Sequence, residues 1–79
     1  MAGGLPAISG FELMALLEKA GWRFLRKSNH GNAYTKTFAD GPRVVNVQRT
    51  SKSIPPGTLS AILRQTGLGR KGLKRLLDQ

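Results

Sequence analysis

The chain has 79 residues, among them 13 Lys and Arg, four Asp and Glu, one His and no Cys. A chain this short forms one small domain with a modest core, and the lack of cysteine excludes disulfides and thiolate metal sites. The formal net charge of +9 favours an anionic partner: nucleic acid first, an acidic protein second and an anionic membrane surface third.

The sequence gives no sign of a membrane protein or a metalloprotein. No apolar run is long enough to span a bilayer, and residues 1–6 lack a signal-peptide pattern. The basic residues are scattered through mixed elements, which argues against an amphipathic helix on a membrane. One His and four carboxylates argue against a dedicated metal site. We therefore expect a cytoplasmic protein without a cofactor.

The first element in the chain is a helix preceded by a short leader. Residues 1–8 are predicted to form a flexible leader. Ser9 and Glu12 have the spacing of a capping box, in which each side chain accepts a hydrogen bond from the other residue's backbone N–H. Gly21 is a natural stop for a helix. The predicted helix covers 10–20, and its apolar residues recur at helical spacing: Phe11, Leu13, Met14, Leu17 and Ala20.

Three strands are predicted next. Aromatic and basic residues alternate partially over 22–27, and 33–38 is rich in aromatic and β-branched residues. A turn over 28–32 separates these two strands. A second turn, at 40–42, leads into the third strand at 43–49. Short connections between consecutive strands predict an antiparallel meander.

Two further helices complete the predicted fold. Pro55 and Pro56 open the second helix, where proline is tolerated in the first turn, and Gly67 ends it. Residues 68–77 predict a third, basic helix in which Leu73, Leu76 and Leu77 pack inward. The predicted class is α+β, with the order α-β-β-β-α, two helices on one face of a three-stranded antiparallel sheet, and a short C-terminal helix.

The 28–32 turn contains His30, the only histidine. Histidine is the side chain best suited to exchange a proton near neutral pH. A lone histidine in a turn is most often only a turn residue. Here, however, basic residues lie on both sides, and an imidazole beside cations suits chemistry or binding at a phosphate.

Several segments together resemble HicA toxins, the ribonuclease half of HicA–HicB toxin–antitoxin pairs. Residues 12–22 resemble the family's first helix, which also ends in Gly-Trp before a strand. Residues 26–30 occupy the position of the family's Gly-Ser-His turn. Residues 44–47 resemble its third strand. Residues 54–68, with Pro-Gly-Thr-Leu at 56–59, resemble its Leu-Pro-Lys-Gly-Thr-Leu helix entry. The resemblance divides the chain into a HicA-like domain at 9–68 and a basic C-terminal helix at 69–79.

The resemblance implies a fold like that of a double-stranded-RNA-binding domain, ribosome-independent mRNA cleavage and a catalytic His30. It also implies a HicB-type antitoxin that covers the active site. Ser28 and Asn29, which we expect to position the histidine, replace the family's Gly-Ser. If the turn required a positive φ at its first position, Ser28 would fit less well than Gly.

Cleavage of RNA without a metal requires a base, an acid and cations that stabilise the transition state. We expect His30 to be the base or the acid, with Lys27 and Lys36 flanking the phosphate. Tyr34 is a weaker candidate for a second proton donor. The remaining candidate RNA contacts are Arg23, Arg26, Arg49 and Lys52.

Two alternatives to a toxin remain open at this point. One is an RNA-binding module of the same fold without catalysis, in which His30 is only a turn residue. The other is a protein-interaction module whose basic face binds an acidic partner. A steep salt dependence of RNA affinity would argue against the second alternative.

Overall fold

A computed structural model describes residues 6–78. The first helix, α1, spans Gly10–Lys19 and begins with the predicted capping box. The Ser9 N–H donates to Glu12 Oε1 at 2.9 Å, and the Glu12 N–H donates to Ser9 Oγ at 3.1 Å. After α1 the chain turns at Gly21, whose φ of 94° is in the left-handed region that glycine adopts readily. The prediction of this helix and its stop is confirmed.

Three antiparallel strands follow in the order β1-β2-β3, which confirms the meander. Strand β1 spans Arg23–Lys27, β2 spans Gly31–Phe38, and β3 spans Gly41–Gln48. Strands β2 and β3 each begin two residues before the predicted positions, because each starts at a glycine that carries no side-chain pattern to reveal it. The β1–β2 register shifts between Phe24 and Arg26, where a bulge interrupts the alternation of the edge strand.

Helix α2 spans Pro56–Thr66 and helix α3 spans Gly69–Leu77. Helices α1 and α2 pack against β3, and α3 packs against α1 and α2. Gly67, with a φ of 77°, ends α2 as predicted. The predicted α+β class, with its α-β-β-β-α order and additional C-terminal helix, is confirmed.

One hydrophobic core joins the sheet to all three helices. Trp22, which follows α1, is 2% exposed and belongs to this core. Leu73 and Leu76 of α3 are buried in the same cluster, as predicted. Leu77 was also predicted to pack inward, but its side chain is 44% exposed. The largest fully buried side chains come from every layer: Leu13, Leu17, Val45, Val47, Leu59 and Leu73.

Most of the predicted leader, residues 1–5, lies outside the described residues. Ile8, which was also assigned to the leader, is instead a core residue and is 2% exposed. Its carbonyl accepts a hydrogen bond from the Ile54 N–H at 2.8 Å, and Ser9 forms a β-bridge with Ser53. The chain is therefore anchored before α1 begins. Between residues 6 and 78, no helix combines the length and apolar character needed to cross a bilayer.

Candidate active site

His30 lies in the tight loop of the β1–β2 hairpin. Lys27 pairs with Asn32 at the end of the ladder. Beyond them, the Ser28 N–H donates to the Gly31 carbonyl at 2.8 Å, and the Ser28 hydroxyl donates to the same oxygen at 3.0 Å. These bonds leave Asn29 and His30 as a two-residue loop. The imidazole is thus displayed on an exposed hairpin tip, between the two strands that the sequence predicted.

The backbone of this loop is unusual for a two-residue hairpin. Such loops commonly use positive φ angles, which match the twist of the strands. Among residues 6–78, however, no residue other than glycine has a positive φ, so Ser28 and Asn29 both avoid the left-handed region. Replacement of the family's Gly-Ser by Ser28-Asn29 therefore introduces no left-handed strain here.

Arg49, immediately after β3, ties this loop to the sheet. Its backbone N–H donates to the His30 carbonyl at 3.4 Å. Its guanidinium donates to four more oxygens of the loop and its flanks: the Gly31 carbonyl, Asn32 Oδ1 at 3.0 Å, the Ser28 carbonyl at 3.1 Å and the Asn29 carbonyl at 3.4 Å. The planar guanidinium suits this task because its donors form a fixed fork. Arg49 therefore holds the segment that carries His30.

The sequence predicts an RNA contact for Arg49, whereas its side chain is bonded to the loop in the structure. The acceptors lie 17 to 21 residues earlier in the chain, so no local pattern connects them to Arg49. The available signal was the pairing of the ends of β2 and β3, where Gly31 lies opposite Gln48. That register places the residue after Gln48 beside the loop.

Gly31 allows β2 and β3 to approach closely at the base of the loop. A Cβ atom at this position would collide with the Val47 carbonyl on β3. Gly31 is also the residue whose carbonyl accepts from Ser28 and Arg49. The position of the loop against β3 therefore depends on the absence of a side chain at Gly31.

A pocket of about 120 Å³ opens beside His30, between β3 and the first half of α2. Its apolar lining includes Val47, Ile54 and Ile62. Its lining also includes polar residues of the hairpin, β3 and α2: Ser28, Asn46, Gln48 and Thr58. A cavity with apolar walls and a few polar groups at its edge is the usual form of a small-molecule or base-binding site.

Several exposed cations lie at the same end of the sheet as His30. Lys27 ends β1, Arg26 precedes it, and Lys52 follows the end of β3. Within the described residues the one salt bridge is Arg43 to Asp40, at 3.6 Å, near the β2–β3 turn at the other end of the sheet. The cations around His30 are therefore not neutralised by carboxylates of residues 6–78.

Lys36 does not lie beside His30, and the expectation that it flanks a phosphate there is wrong. It lies opposite Arg43 on β3, six residues along β2 from the histidine, which corresponds to roughly 20 Å of strand. Its Nζ donates to the Ala20 carbonyl at 2.7 Å and lies 5.5 Å from the centre of the Phe38 ring. Lys36 thus satisfies a carbonyl at the end of α1, a favourable place for a cation.

Arg23 is also remote from the histidine, because it begins β1 and pairs with Thr35. Tyr34 is 3% exposed and packs edge-on against Phe24, with 6.0 Å between ring centroids. This burial explains Tyr34 as a core residue and argues against its role as a second proton donor. The described residues also contain no group of three His, Cys, Asp or Glu side chains arranged to hold a metal ion.

A family comparison covers the part of the chain that contains this site. A family model described as the HicA toxin of bacterial toxin–antitoxin systems matches residues 10–68, well over half of the 79 residues. The matched region runs from the start of α1 to just beyond α2 and includes the His30 loop. Searches of curated proteins and of solved structures gave no significant match. From the extent of the family match, we conclude that the chain belongs to the HicA family of toxins from bacterial toxin–antitoxin systems.

Proposed function

We propose that the chain is an endoribonuclease that cleaves mRNA without a metal ion and uses His30 as its proton-transfer group. In this reaction a base removes the proton of a ribose 2′-hydroxyl, and the 2′-oxygen attacks the adjacent phosphorus. The bond to the 5′-oxygen of the next nucleotide breaks, and that oxygen leaves with a proton. The products are a 2′,3′-cyclic phosphate and a free 5′-hydroxyl.

The observation that carries the proposal is the display of one imidazole on a constrained, cationic hairpin tip. His30 is exposed, its loop is bonded to Arg49, and a pocket opens beside it. A general base must reach the proton that it removes, and a fixed loop favours such geometry. One imidazole cannot serve as base and acid at the same instant, so solvent supplies the second proton transfer.

The nearby cations have two roles in this proposal. Lys27 stabilises the charge that develops on the phosphate, and Arg26 and Lys52 bind the backbone of the RNA. Arg49 acts as a positioning residue because its guanidinium bonds to the loop. The turn residues Ser28 and Asn29 supply carbonyl oxygens to that guanidinium.

Membership of a toxin–antitoxin family implies an antitoxin partner. In our proposal this partner is a HicB-type protein that covers the cationic end of the sheet and prevents RNA from reaching His30. Acidic side chains on the antitoxin would complement Lys27, Arg26 and Lys52, whose charges have no carboxylate partner among residues 6–78.

The test is cleavage of an mRNA by wild type, His30→Ala and Gln65→Ala in excess chelator. Gln65 is an exposed residue of α2 and controls for the effects of substitution and purification. We expect wild type and Gln65→Ala to cut, and His30→Ala to be slower by about 10²–10⁴-fold, the usual contribution of general acid–base catalysis. Equal cleavage by all three proteins would remove His30 from the mechanism.

A non-catalytic RNA-binding module is the second candidate. It is favoured by the absence of any carboxylate paired with His30 in the described part of the chain, which leaves the imidazole without a partner to orient it. If no protein cuts but wild type and His30→Ala bind RNA equally, this candidate is correct. RNA affinity that does not depend on salt would contradict both candidates.

A further inference from the structure

We propose that the pocket beside His30 is a nucleobase subsite that holds one unstacked base of a single-stranded RNA. The pocket is lined by Ser28 and His30 at the hairpin, by Asn46 and Gln48 on β3, and by Thr58 and Ile62 on α2. This inference rests on the proposed function, since it names the part of the RNA that lies next to the reacting phosphate.

The chemistry of the pocket fits a base better than a phosphate or a sugar. Most of its wall is apolar, with Val47, Ile54 and Ile62 beneath the opening, and none of its lining residues is a lysine or an arginine. The flat faces of a base can lie against such a wall. A phosphate would lose its hydration there without gaining a cation.

The polar groups at the edge suit the hydrogen-bonding edge of a base. Ser28 and Thr58 bring hydroxyl groups to the hairpin side and the α2 side of the pocket. A hydroxyl can both donate and accept a hydrogen bond, so either one can pair with a base edge. Asn46 and Gln48 alternate with buried valines along β3, so their side chains lie on the other face of the sheet and their backbone borders the pocket. Proteins that recognise RNA by sequence usually read unstacked bases in this way.

Charge selects RNA over an apolar partner as the occupant. Lys27 and Lys52, at this end of the sheet, have no salt-bridge partner within residues 6–78 and can bind the phosphates on either side of an inserted base. An apolar side chain inserted by a partner protein would leave the hydroxyls of Ser28 and Thr58 and these two cations unused. We therefore place a base in the pocket and phosphates outside it.

The experiment measures binding and does not depend on cleavage. Fluorescence anisotropy compares wild type with Thr58→Phe, using a set of single-stranded 2′-O-methyl RNA hexamers, which have no 2′-hydroxyl to attack, and versions in which one position is abasic. The phenyl ring at position 58, at the edge of the pocket, fills the space proposed for the base. Thermal unfolding of both proteins establishes that they are folded.

The matched control is Ser60→Phe. Ser60 is an exposed residue on the same helix, and it lines a different cavity, with Leu63 and Arg64. We expect removal of one base at a particular position to weaken binding to wild type by about fivefold to tenfold, at the lower end of base-stacking effects. Phe at position 58 should abolish that difference, and Phe at position 60 should preserve it.

Equal affinity of wild type for intact and abasic hexamers at every position would overturn the subsite, whatever the cleavage assay gives. If the affinities are equal and a HicB-type antitoxin still displaces the RNA, the pocket would be assigned to the protein partner. If wild type does not cleave RNA but its binding still depends on the base, the proposed reaction would be contradicted and the subsite would stand.

Discussion

Replacement of Arg49 tests whether the His30 loop depends on its hydrogen bonds to the sheet. Arg49→Met removes the guanidinium and its bonds to four oxygens while retaining a long apolar side chain. A hydrogen bond to a charged group contributes about 1.5–3 kcal/mol when well shielded from solvent. Because Arg49 is exposed, solvent compensates for much of this, and we expect the four bonds together to contribute about 1–2 kcal/mol.

A loss of this size should lower the melting temperature by roughly 4–16 °C for a domain of this length. The Ser28 N–H, which donates across the loop to Gly31, should exchange with solvent faster in Arg49→Met. If the proposed reaction is correct, misplacement of His30 should reduce the cleavage rate by up to about 10²-fold.

The matched control is Lys52→Met, which removes the same charge from the same end of the sheet. The Lys52 side chain makes no hydrogen bond to the described residues, although its backbone N–H donates to Thr50 Oγ1 at 3.0 Å. We expect both variants to lose RNA affinity modestly, and only Arg49→Met to lose stability and exchange protection. An unchanged melting temperature and unchanged exchange at Ser28 in Arg49→Met would refute the reasoning.

Three further predictions concern the packing around the site. Gly31→Ala should destabilise the domain by about 1–3 kcal/mol because its Cβ meets the backbone of β3; Gly57→Ala, with open space around it, should not destabilise it in the same thermal unfolding assay. Leu73→Ala should cost about 2–5 kcal/mol, and Leu77→Ala less than about 1 kcal/mol, because Leu73 is 1% exposed and Leu77 is 44% exposed; equal effects in denaturant unfolding would mean that α3 is not part of the core. Lys36→Met should leave RNA cleavage within about twofold of wild type, since its Nζ bonds to the end of α1; a loss of the size seen with His30→Ala would contradict this placement.

The sequence predicted most of the fold because its signals are local. The capping box of Ser9 and Glu12 fixes the start of α1 from residues three apart. Glycine at position 21 ends the same helix, and the short connections between strands define the meander. The position of His30 in the β1–β2 loop follows from the strands on either side of it. Each of these features depends on residues that are close in the chain.

The details of the site depend on contacts between distant residues, which the sequence alone did not reveal. Arg49 and Lys36 were both interpreted as surface cations that contact RNA. Arg49 instead bonds to the loop, and Lys36 bonds to the carbonyl of Ala20, 16 residues earlier. The long side chains of arginine and lysine reach partners that no spacing rule predicts. The pocket beside His30 was missed for the same reason, because β3 and α2 form it together.

The measurement that tests the central claim most directly is single-turnover cleavage of a short RNA with a single mapped cut site. The substrate is compared with a version that carries a 2′-deoxyribose at the nucleotide whose 2′-hydroxyl attacks. Both are treated with wild type and with His30→Ala. Our account predicts that wild type cuts only the all-ribose substrate, and that His30→Ala cuts it about 10²–10⁴-fold more slowly. Cleavage of the deoxy substrate by wild type, or equal rates for both proteins, would contradict it.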